Sequence, residues 1–265
     1  MSARLAKLAL SSLVRIGDAL HAGIAGLIGR LLPPRAVVFY YHAVNPDERA
    51  RFAWQMDSLK RWATPVSAGD EGSLKPGGRY AAVTFDDGFV SVIENALPEL
   101  EARHIPMTFF VPTGCFGQRP SWVRNPQASS YRQTVLTPEQ LQHVSWNPWV
   151  TIGAHAVSHP NFLTLDEGRA RLELERSKAE LERITGREVR LFSFPHGRCN
   201  PRLVEMARAA GYQRVFTISP DWAFTEPGEF VTGRVAVEPG DWPIEFWLKS
   251  MGAYRWQAAV TRGKR

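Results

Sequence analysis

The sequence predicts an α/β domain built as a (β/α) barrel, with parallel strands inside and helices outside. Apolar, β-branched runs typical of buried strands alternate with helical stretches such as residues 165–184, which are rich in Glu, Arg and Leu. Three of the strand-like runs end in polar groups, as expected when the site lies at the carboxyl ends of the barrel strands. The 265 residues are 44% hydrophobic, enough for a sizeable core. Two small domains are the alternative.

The first polar strand end is segment 82–89, AVTFDDGF, in which an apolar run stops at two adjacent carboxylates, Asp86 and Asp87. Buried strands avoid unpaired charge because removing a carboxylate from water costs free energy. A site that needs negative charge, such as a metal ligand beside a base, would explain the pair. The alternative is a strand followed by an ordinary Asp-Gly turn.

The second strand end is segment 150–160, VTIGAHAVSHP, which closes on His155 and His159. Their spacing lets both imidazoles reach one ion, and with one carboxylate they would leave a metal position open for water. Structural histidines that cap the strand are the alternative. In the third strand end, residues 191–198 (LFSFPHGR), a forced turn would aim His196 or its backbone N–H into the same mouth.

These segments resemble the first three ordered motifs of the polysaccharide deacetylases (carbohydrate esterase family 4, the NodB-homology domain). The likeness covers roughly residues 36–240, and segments 37–44, 52–59, 106–112 and 210–217 look like further elements of that family. It implies a distorted or incomplete (β/α) barrel, NodB-like and related to the TIM barrel, with an N-terminal helical extension. The matching motifs are Thr84-Phe85-Asp86-Asp87-Gly88, His155-x-x-Ser158-His159 and Phe194-Pro195-His196-Gly197.

The resemblance implies a role for each matched residue. Asp87, His155 and His159 would hold a divalent metal, with zinc expected. Asp86 would be the general base, and the backbone around His196 would stabilise the oxyanion. The chemistry agrees, because a metal lowers the pKa of bound water, a carboxylate can complete its deprotonation, and preorganised donors stabilise the developing charge.

The sequence departs from the family pattern at two places. Ser193 stands where many members have an arginine that orients the base, and Arg198 or Arg234 could take over that task. No histidine follows His196, so the family's late Leu-x-His motif, whose histidine is the usual general acid, has no counterpart. Protonation of the leaving amine would then fall to His42 or His196. A structural role for His42 is the alternative.

We expect three regions: an N-terminal amphipathic helical segment (residues 1–35), the deacetylase barrel (residues 36–245) and a basic C-terminal tail (residues 246–265). Residues 1–36 carry a net charge of +4 and the residues after Glu245 a net +5, which leaves −3 of the total +6 between them. A nucleic-acid-binding face on the barrel is therefore not expected. We do expect the two ends to contact an anionic membrane surface.

Residues 1–33 alternate leucines and isoleucines with small and basic residues. The longest uncharged run, residues 19–29, is too short to span a bilayer, and Arg15 and Asp18 interrupt what would be the apolar region of a signal peptide. We expect a helix that either lies on a membrane or packs on the barrel bottom. The first arrangement would give a cytoplasmic enzyme peripheral to the inner membrane. An uncleaved signal anchor also fits the sequence.

Two smaller features complete the pattern. The segment 114–138, rich in Pro, Gly and polar residues, predicts a long loop over the mouth that could set substrate specificity. Cys115 and Cys199 do not form a disulfide framework, and two free thiols are expected.

Taken together, the motifs predict a metal-dependent hydrolase that removes N-acetyl groups from amino sugars of a cell-envelope polysaccharide, oligosaccharide or glycolipid. It would act on carbon–nitrogen bonds other than peptide bonds. One alternative is an amidase or deformylase on another substrate, because the barrel does not fix the acyl group. Another is a carbohydrate-binding protein without turnover, which Ser193 and the missing late histidine favour but the intact acidic and histidine pairs oppose.

Overall fold

The structure is a computed structural model that describes residues 3–69 and 74–258. Its strands are β1 (Arg35–Tyr41), β2 (Thr64–Pro65), β3 (Arg79–Phe85), β4 (Met107–Val111), β5 (Val150–Ala154), β6 (Leu191–Ser193), β7 (Arg214–Phe216), β8 (Val231–Thr232) and β9 (Val235–Ala236). Its α-helices are α1 (Ala3–Leu27), α2 (Arg49–Trp62), α3 (Leu97–Glu101), α4 (Pro138–Ser145), α5 (Glu167–Thr185), α6 (Pro201–Ala209) and α7 (Pro243–Ser250).

The nine strands of this described part form one parallel sheet, in the order β8-β7-β6-β5-β4-β3-β1-β9, with β2 paired to the start of β3. β8 and β9 lie at opposite ends of the order, yet only Gly233 and Arg234 separate them in sequence. Three peptide steps reach at most about 11 Å, so the two edges of the sheet must lie that close. The sheet therefore curls into an incomplete barrel whose edges are bridged by covalent chain, which confirms the predicted fold class and its N-terminal helix.

Both faces of the sheet are buried, as parallel strands require. Neighbouring residues of β1 belong to different apolar clusters: Val38 to the small one inside the barrel and Phe39 to the large one beneath the helices. The ring of Phe110 fills the interior so tightly that a Cβ on Gly153 would lie 2.4 Å from it. Only glycine fits at that position of β5.

α1 packs by one face on α7, an outer helix whose Phe246 contacts Phe39 of β1. The helix therefore packs on the barrel. Its opposite face stays exposed. The uncharged run of α1 is short. By length and composition, α1 is nevertheless the one helix among residues 3–69 and 74–258 that is long and apolar enough to cross a membrane. A signal sequence near the N-terminus would meet the same two criteria.

The division of the chain into three regions stays a prediction. β1 begins at Arg35, close to the expected start of the barrel, but α7 crosses the expected end at residue 245. Phe246, Leu248 and Tyr254 are buried in the main core, so the chain after residue 245 still contributes to the barrel. Residues 259–265 of the expected tail lie outside the described residues.

Candidate active site

Asp87, His155 and His159 converge at the carboxyl ends of β3 and β5, which only β4 separates in the sheet. Oδ1 of Asp87 lies 3.5 Å from Nε2 of His155 and 3.1 Å from Nε2 of His159. One ligand atom from each residue lies within 4.8 Å of the other two, and all three side chains are buried. Parallel strands end on the same edge of a sheet, which is why residues about seventy positions apart meet here.

This donor set fits a divalent metal. Oδ1 of Asp87, the atom that faces both imidazoles, is buried and accepts no hydrogen bond from the described residues. A buried carboxylate oxygen is costly unless a donor or a cation satisfies it. Two imidazole nitrogens and one carboxylate oxygen also match the ligand type of catalytic zinc sites, which keep a further position open.

Contacts around the histidines orient them toward this point. Nδ1 of His155 lies 2.7 Å from the carbonyl oxygen of Ser193. Its N–H therefore donates to that carbonyl, which leaves Nε2 free to coordinate. Glu173 of α5 holds the turn between the two histidines, because its carboxylate accepts from the N–H of Val157 (2.7 Å), the N–H of Ser158 (2.9 Å) and the hydroxyl of Ser158 (2.7 Å).

The backbone of the site is strained. Six non-glycine residues in the described chain have a left-handed backbone, and four of them lie here: Asp87, Ala156, His159 and His196, with φ between 55° and 71°. Such a conformation costs about 1–3 kcal/mol for an ordinary residue and persists only where surrounding contacts impose it. Glu173 supplies contacts of this kind in the turn that contains Ala156 and His159.

Asp86 is held by Arg234, from the short connection between β8 and β9. Nη1 of Arg234 donates to Oδ1 of Asp86 (2.8 Å) and Nη2 to Oδ2 (2.7 Å), and the guanidinium is fully buried. Nη2 also donates to the hydroxyl of Ser193 at 2.7 Å. Arg198, the other candidate for this task, is exposed and makes no hydrogen bond to Asp86 within the described residues. Arg234 thus replaces the arginine that is missing at position 193.

Both carboxylates of the site are ionised at neutral pH. Burial raises the pKa of Asp86, but the Arg234 guanidinium, together with His155 and His42, holds that pKa below its ordinary value. Burial acts in the same way on Asp87, where the imidazoles of His155 and His159 reverse it and hold the pKa well below its usual range. Asp86 can therefore accept a proton.

His42 and His196, the two candidate acids, line the same cleft as the acidic pair. The ring of His196 lies 4.7 Å from that of His159, whereas the ring of His42 contacts Tyr40 at 5.6 Å. Burial and the neighbouring His155 lower the pKa of His196. Of the two, His196 lies against a metal-ligand candidate.

Trp122 was not among the predicted site residues. Its ring stacks on that of His159 with the centroids 4.1 Å apart, and its Nε1–H donates to Oδ2 of Asp87 at 3.2 Å. Trp122 belongs to segment 114–138, which forms a wall of the cleft as expected of a loop over the mouth. A tryptophan inside a long polar loop was the one signal in the sequence that pointed to it.

The cleft has a volume of about 650 Å³ and combines polar with aromatic groups. Tyr40 and Glu238, also absent from the predicted set, line it as well. Burial raises the pKa of Tyr40 to about 12, so its hydroxyl keeps its proton at neutral pH. Other lining residues come from segment 114–138 and include Val123, Asn125, Gln127, Ala128, Ser129 and Ser130.

An incomplete (β/α) barrel with an Asp/His/His cluster beside a buried carboxylate defines a class of metal-binding hydrolases. The sequence matches the polysaccharide deacetylase family over residues 73–215, more than half of its length. The chain belongs to this family, which confirms the resemblance noted above. Members hydrolyse N-acetyl amide bonds, so the protein is a hydrolase of carbon–nitrogen bonds other than peptide bonds.

Several known proteins resemble the chain over most of its length. A Bacillus subtilis (strain 168) protein named "Putative polysaccharide deacetylase YxkH" is 24% identical over 223 residues, 78% of this chain and 73% of that protein. The structure of IcaB from Ammonifex degensii matches with 29% identity and a TM-score of 0.68, over 84% of this chain and 99% of that one. The Streptococcus pyogenes deacetylase PplD, solved in complex with acetate, shares the fold (18% identity, TM-score 0.63, 83% of this chain and 98% of that one).

Proposed function

We propose that this protein is a metal-dependent deacetylase, with zinc as the preferred ion, that removes N-acetyl groups from amino sugars of a cell-envelope glycan or glycolipid. One observation carries the proposal: Asp86, a carboxylate immobilised by Arg234, directly precedes Asp87 of the Asp/His/His ligand set. A base beside an open metal position is an arrangement that supports metal-assisted hydrolysis of an amide. The envelope glycan as the substrate follows from the family resemblance.

Each residue of the site then has a task. When bound, the divalent ion polarises the acetyl carbonyl and lowers the pKa of water. Asp86 accepts a proton from the water whose oxygen attacks the carbonyl carbon, and backbone donors near His196 stabilise the oxyanion that forms. The carbon–nitrogen bond then breaks as the amine nitrogen takes a proton through His196 or His42, and the proton that Asp86 accepted from the water replaces it. The products are acetate and a free amino sugar.

The walls of the cleft suit a carbohydrate. Aromatic rings such as that of Trp122 offer an apolar face to a sugar ring, and the side chains of Asn125, Gln127 and Ser129 offer hydrogen bonds to its hydroxyl groups. The non-catalytic alternative loses one of its two supports, because Ser193 does not leave the base without an arginine. Its hydroxyl accepts a hydrogen bond from Arg234.

Release of acetate from N-acetylated amino-sugar oligomers tests the proposal. We expect acetate from the metal-loaded protein, loss of release after chelation, and recovery with one equivalent of Zn²⁺. A parallel series of N-formyl sugars and non-sugar acetamides separates a deacetylase from the amidase and deformylase alternative. Formate release without acetate release would overturn the choice of acyl group. Metal-independent release would overturn the mechanism.

A further inference from the structure

The N-terminal helix α1 turns three of its four charged residues toward the barrel. A helix on the surface of a soluble domain shows the opposite arrangement, with its apolar stripe inward and its charges in water. In α1, an ion pair or a ring contact with the barrel holds each of three charged side chains: Arg4 lies 2.6 Å from Glu245, Asp18 lies 3.1 Å from Arg255, and the guanidinium of Arg15 lies 5.5 Å from the centre of the Trp247 ring.

The outward face of α1 is apolar along its whole length. Leu13, Leu20 and Ile24 are 65%, 64% and 59% exposed. At 100° per residue they share one sector of the helix with other exposed aliphatic residues, and the remaining positions of that sector are alanine or glycine. No polar side chain interrupts the sector, whose further members are Leu5, Ala6, Ala9, Leu10, Ile16, Gly17, Gly23 and Leu27.

We propose that this outward face of α1 is a docking surface for an anionic lipid bilayer. An apolar helix face bordered by positive charge matches the layered chemistry of a membrane, in which acyl chains lie beneath anionic headgroups. Asp18, already paired, is the sole acid among residues 1–46, whereas Lys7 within α1 and Arg30 just after its end are exposed basic residues. The basic residues at 262–265 follow Arg255, which itself contacts α1.

The same charges disfavour a second copy of the chain as the occupant. Two such faces brought together would place two segments, each with a net charge of +4 over residues 1–36, against one another. Like charges at close range oppose association unless counter-charges lie between them, and an anionic bilayer supplies such counter-charges.

The contacts of α1 also indicate that the helix lies flat. To span the bilayer, it would have to give up the pairs Arg4–Glu245 and Asp18–Arg255 and carry Arg15 and Asp18 into hydrocarbon. A flat helix keeps these pairs and buries only its outward face. The proposal concerns the bilayer surface, and the cytoplasmic side stays a prediction from the sequence.

Docking through α1 would bring the catalytic cleft close to the membrane. Nη2 of Arg4 lies 3.4 Å from the carbonyl oxygen of Gly240, and its guanidinium lies over the half-exposed ring of Trp242. Trp242 lines a groove of about 490 Å³ together with Pro239, which also lines the cleft. Tryptophan is favoured at the headgroup level. A substrate attached to or emerging from the bilayer would therefore reach the site; this consequence rests on the proposed function, whereas the docking does not.

Co-sedimentation of the full chain with vesicles tests the docking. We expect it to pellet with vesicles of phosphatidylcholine and phosphatidylglycerol, less with pure phosphatidylcholine, and less at high salt because headgroup attraction is screened. The double substitution Leu13→Gln/Leu20→Gln should lower the partition coefficient at least about tenfold, since two aliphatic side chains no longer enter the bilayer. The pair Leu163→Gln/Leu172→Gln, at residues 48% and 45% exposed outside α1, should leave it unchanged.

Three outcomes would overturn the proposal. The double variant in α1 could bind vesicles as tightly as the parent chain. If the parent chain formed a concentration-dependent dimer without vesicles and the same double variant stayed monomeric, a second copy would be the occupant. Resistance of the bound protein to alkaline carbonate would indicate a spanning helix. The altered side chains are exposed, so we expect the variants to fold, and unchanged melting temperatures will show this. Sedimentation measures binding without catalysis, so failure of the docking can be distinguished from failure of the proposed function.

Discussion

Asp86 and Asp87 are adjacent in the chain, yet their carboxylates contact different groups. The two oxygens of Asp86 accept from Arg234, whereas those of Asp87 face the two histidines and Trp122. In a regular strand, neighbouring side chains point to opposite faces. Here β3 has already ended at Phe85, and the left-handed backbone of Asp87 (φ 71°) lets both carboxylates line one cleft. One residue can then act as a base while its neighbour serves as a ligand.

Replacing each carboxylate separately should distinguish these roles. We expect Asp86→Asn to keep its metal while acetate release falls by about two or more orders of magnitude, because the general base is lost. Asp87→Asn should weaken metal binding itself. Loss of a residue that only hydrogen-bonds to a ligand costs about 10–100-fold in metal affinity, and loss of the ligand Asp87 should cost more. Metal content by elemental analysis and acetate release measure the two effects.

A matched substitution checks that the effects are local. Asp47→Asn changes an exposed aspartate outside the cleft and should alter neither metal content nor turnover. If Asp86→Asn and Asp87→Asn lost metal to the same extent, the assignment of base and ligand would be wrong.

The connection after β5 shows how one element supports another at this site. Its two histidines lie in a turn with a left-handed backbone at Ala156 and His159, and the N–H groups of Val157 and Ser158 in this turn donate to Glu173 of α5. The carboxylate satisfies two backbone N–H groups and one hydroxyl, so it offsets the cost of the strain. Glu173 is thus a positioning residue for both histidines.

Removing this carboxylate should lower metal affinity strongly and the stability of the metal-free protein only slightly. We expect Glu173→Ala to lower metal affinity by about 10–100-fold, since the ligands lose their orientation. Glu173→Gln keeps an oxygen acceptor for the two N–H groups and should lose less. Competitive metal titration gives the affinity, and thermal unfolding of the metal-free protein gives the stability.

The comparison variant is Glu175→Ala, two positions further along α5. Glu175 is exposed, and among the residues that the structure describes it forms only a long ion pair with Arg171, at 3.9 Å. Its loss should therefore leave metal affinity unchanged. Equal affinities for Glu173→Ala and the parent protein would show that the turn keeps its shape without this carboxylate.

At the scale of the molecule, the curl of the sheet brings Arg234 to Asp86, the proposed base. Arg234 stands in the connection between the two edge strands, β8 and β9, and reaches Asp86 at the end of β3. The carboxylate of Asp86 therefore gains this contact only when the edges of the barrel have come together. Stability and catalysis share this contact, because the same guanidinium neutralises a buried carboxylate.

This linkage predicts a non-additive effect on stability. Arg234→Met should lower the free energy of unfolding by about 3–5 kcal/mol, because Asp86 is left buried and unpaired. The double variant Arg234→Met/Asp86→Asn should be more stable than Arg234→Met, since the unpaired charge is gone. Denaturant unfolding of the metal-free proteins measures both.

An exposed ion pair supplies the reference for this measurement. Arg190→Met breaks the pair with Glu188, both of them exposed, and should cost at most about 1 kcal/mol. A double variant no more stable than Arg234→Met would show that the destabilisation comes from lost packing and not from the buried charge.

The amino-acid sequence by itself determined the family, the barrel class and a compact set of site candidates. Strand ends that stop at Asp86, Asp87, His155 and His159 are local patterns, and local patterns survive in a linear sequence. Because parallel strands end on one edge of a sheet, these patterns also predict that the residues meet, as the structure shows. Their roles as base and ligands stay predictions until the variants are measured.

Only the tertiary structure decided what holds and surrounds these residues. It selected Arg234 over Arg198, added Trp122 and Glu173, and showed that α1 packs on the barrel while its apolar face stays exposed. Each of these results depends on contacts between segments far apart in the chain. Such contacts follow from the curl of the sheet and the path of its loops, which neither hydrophobic periodicity nor the spacing of a motif specifies.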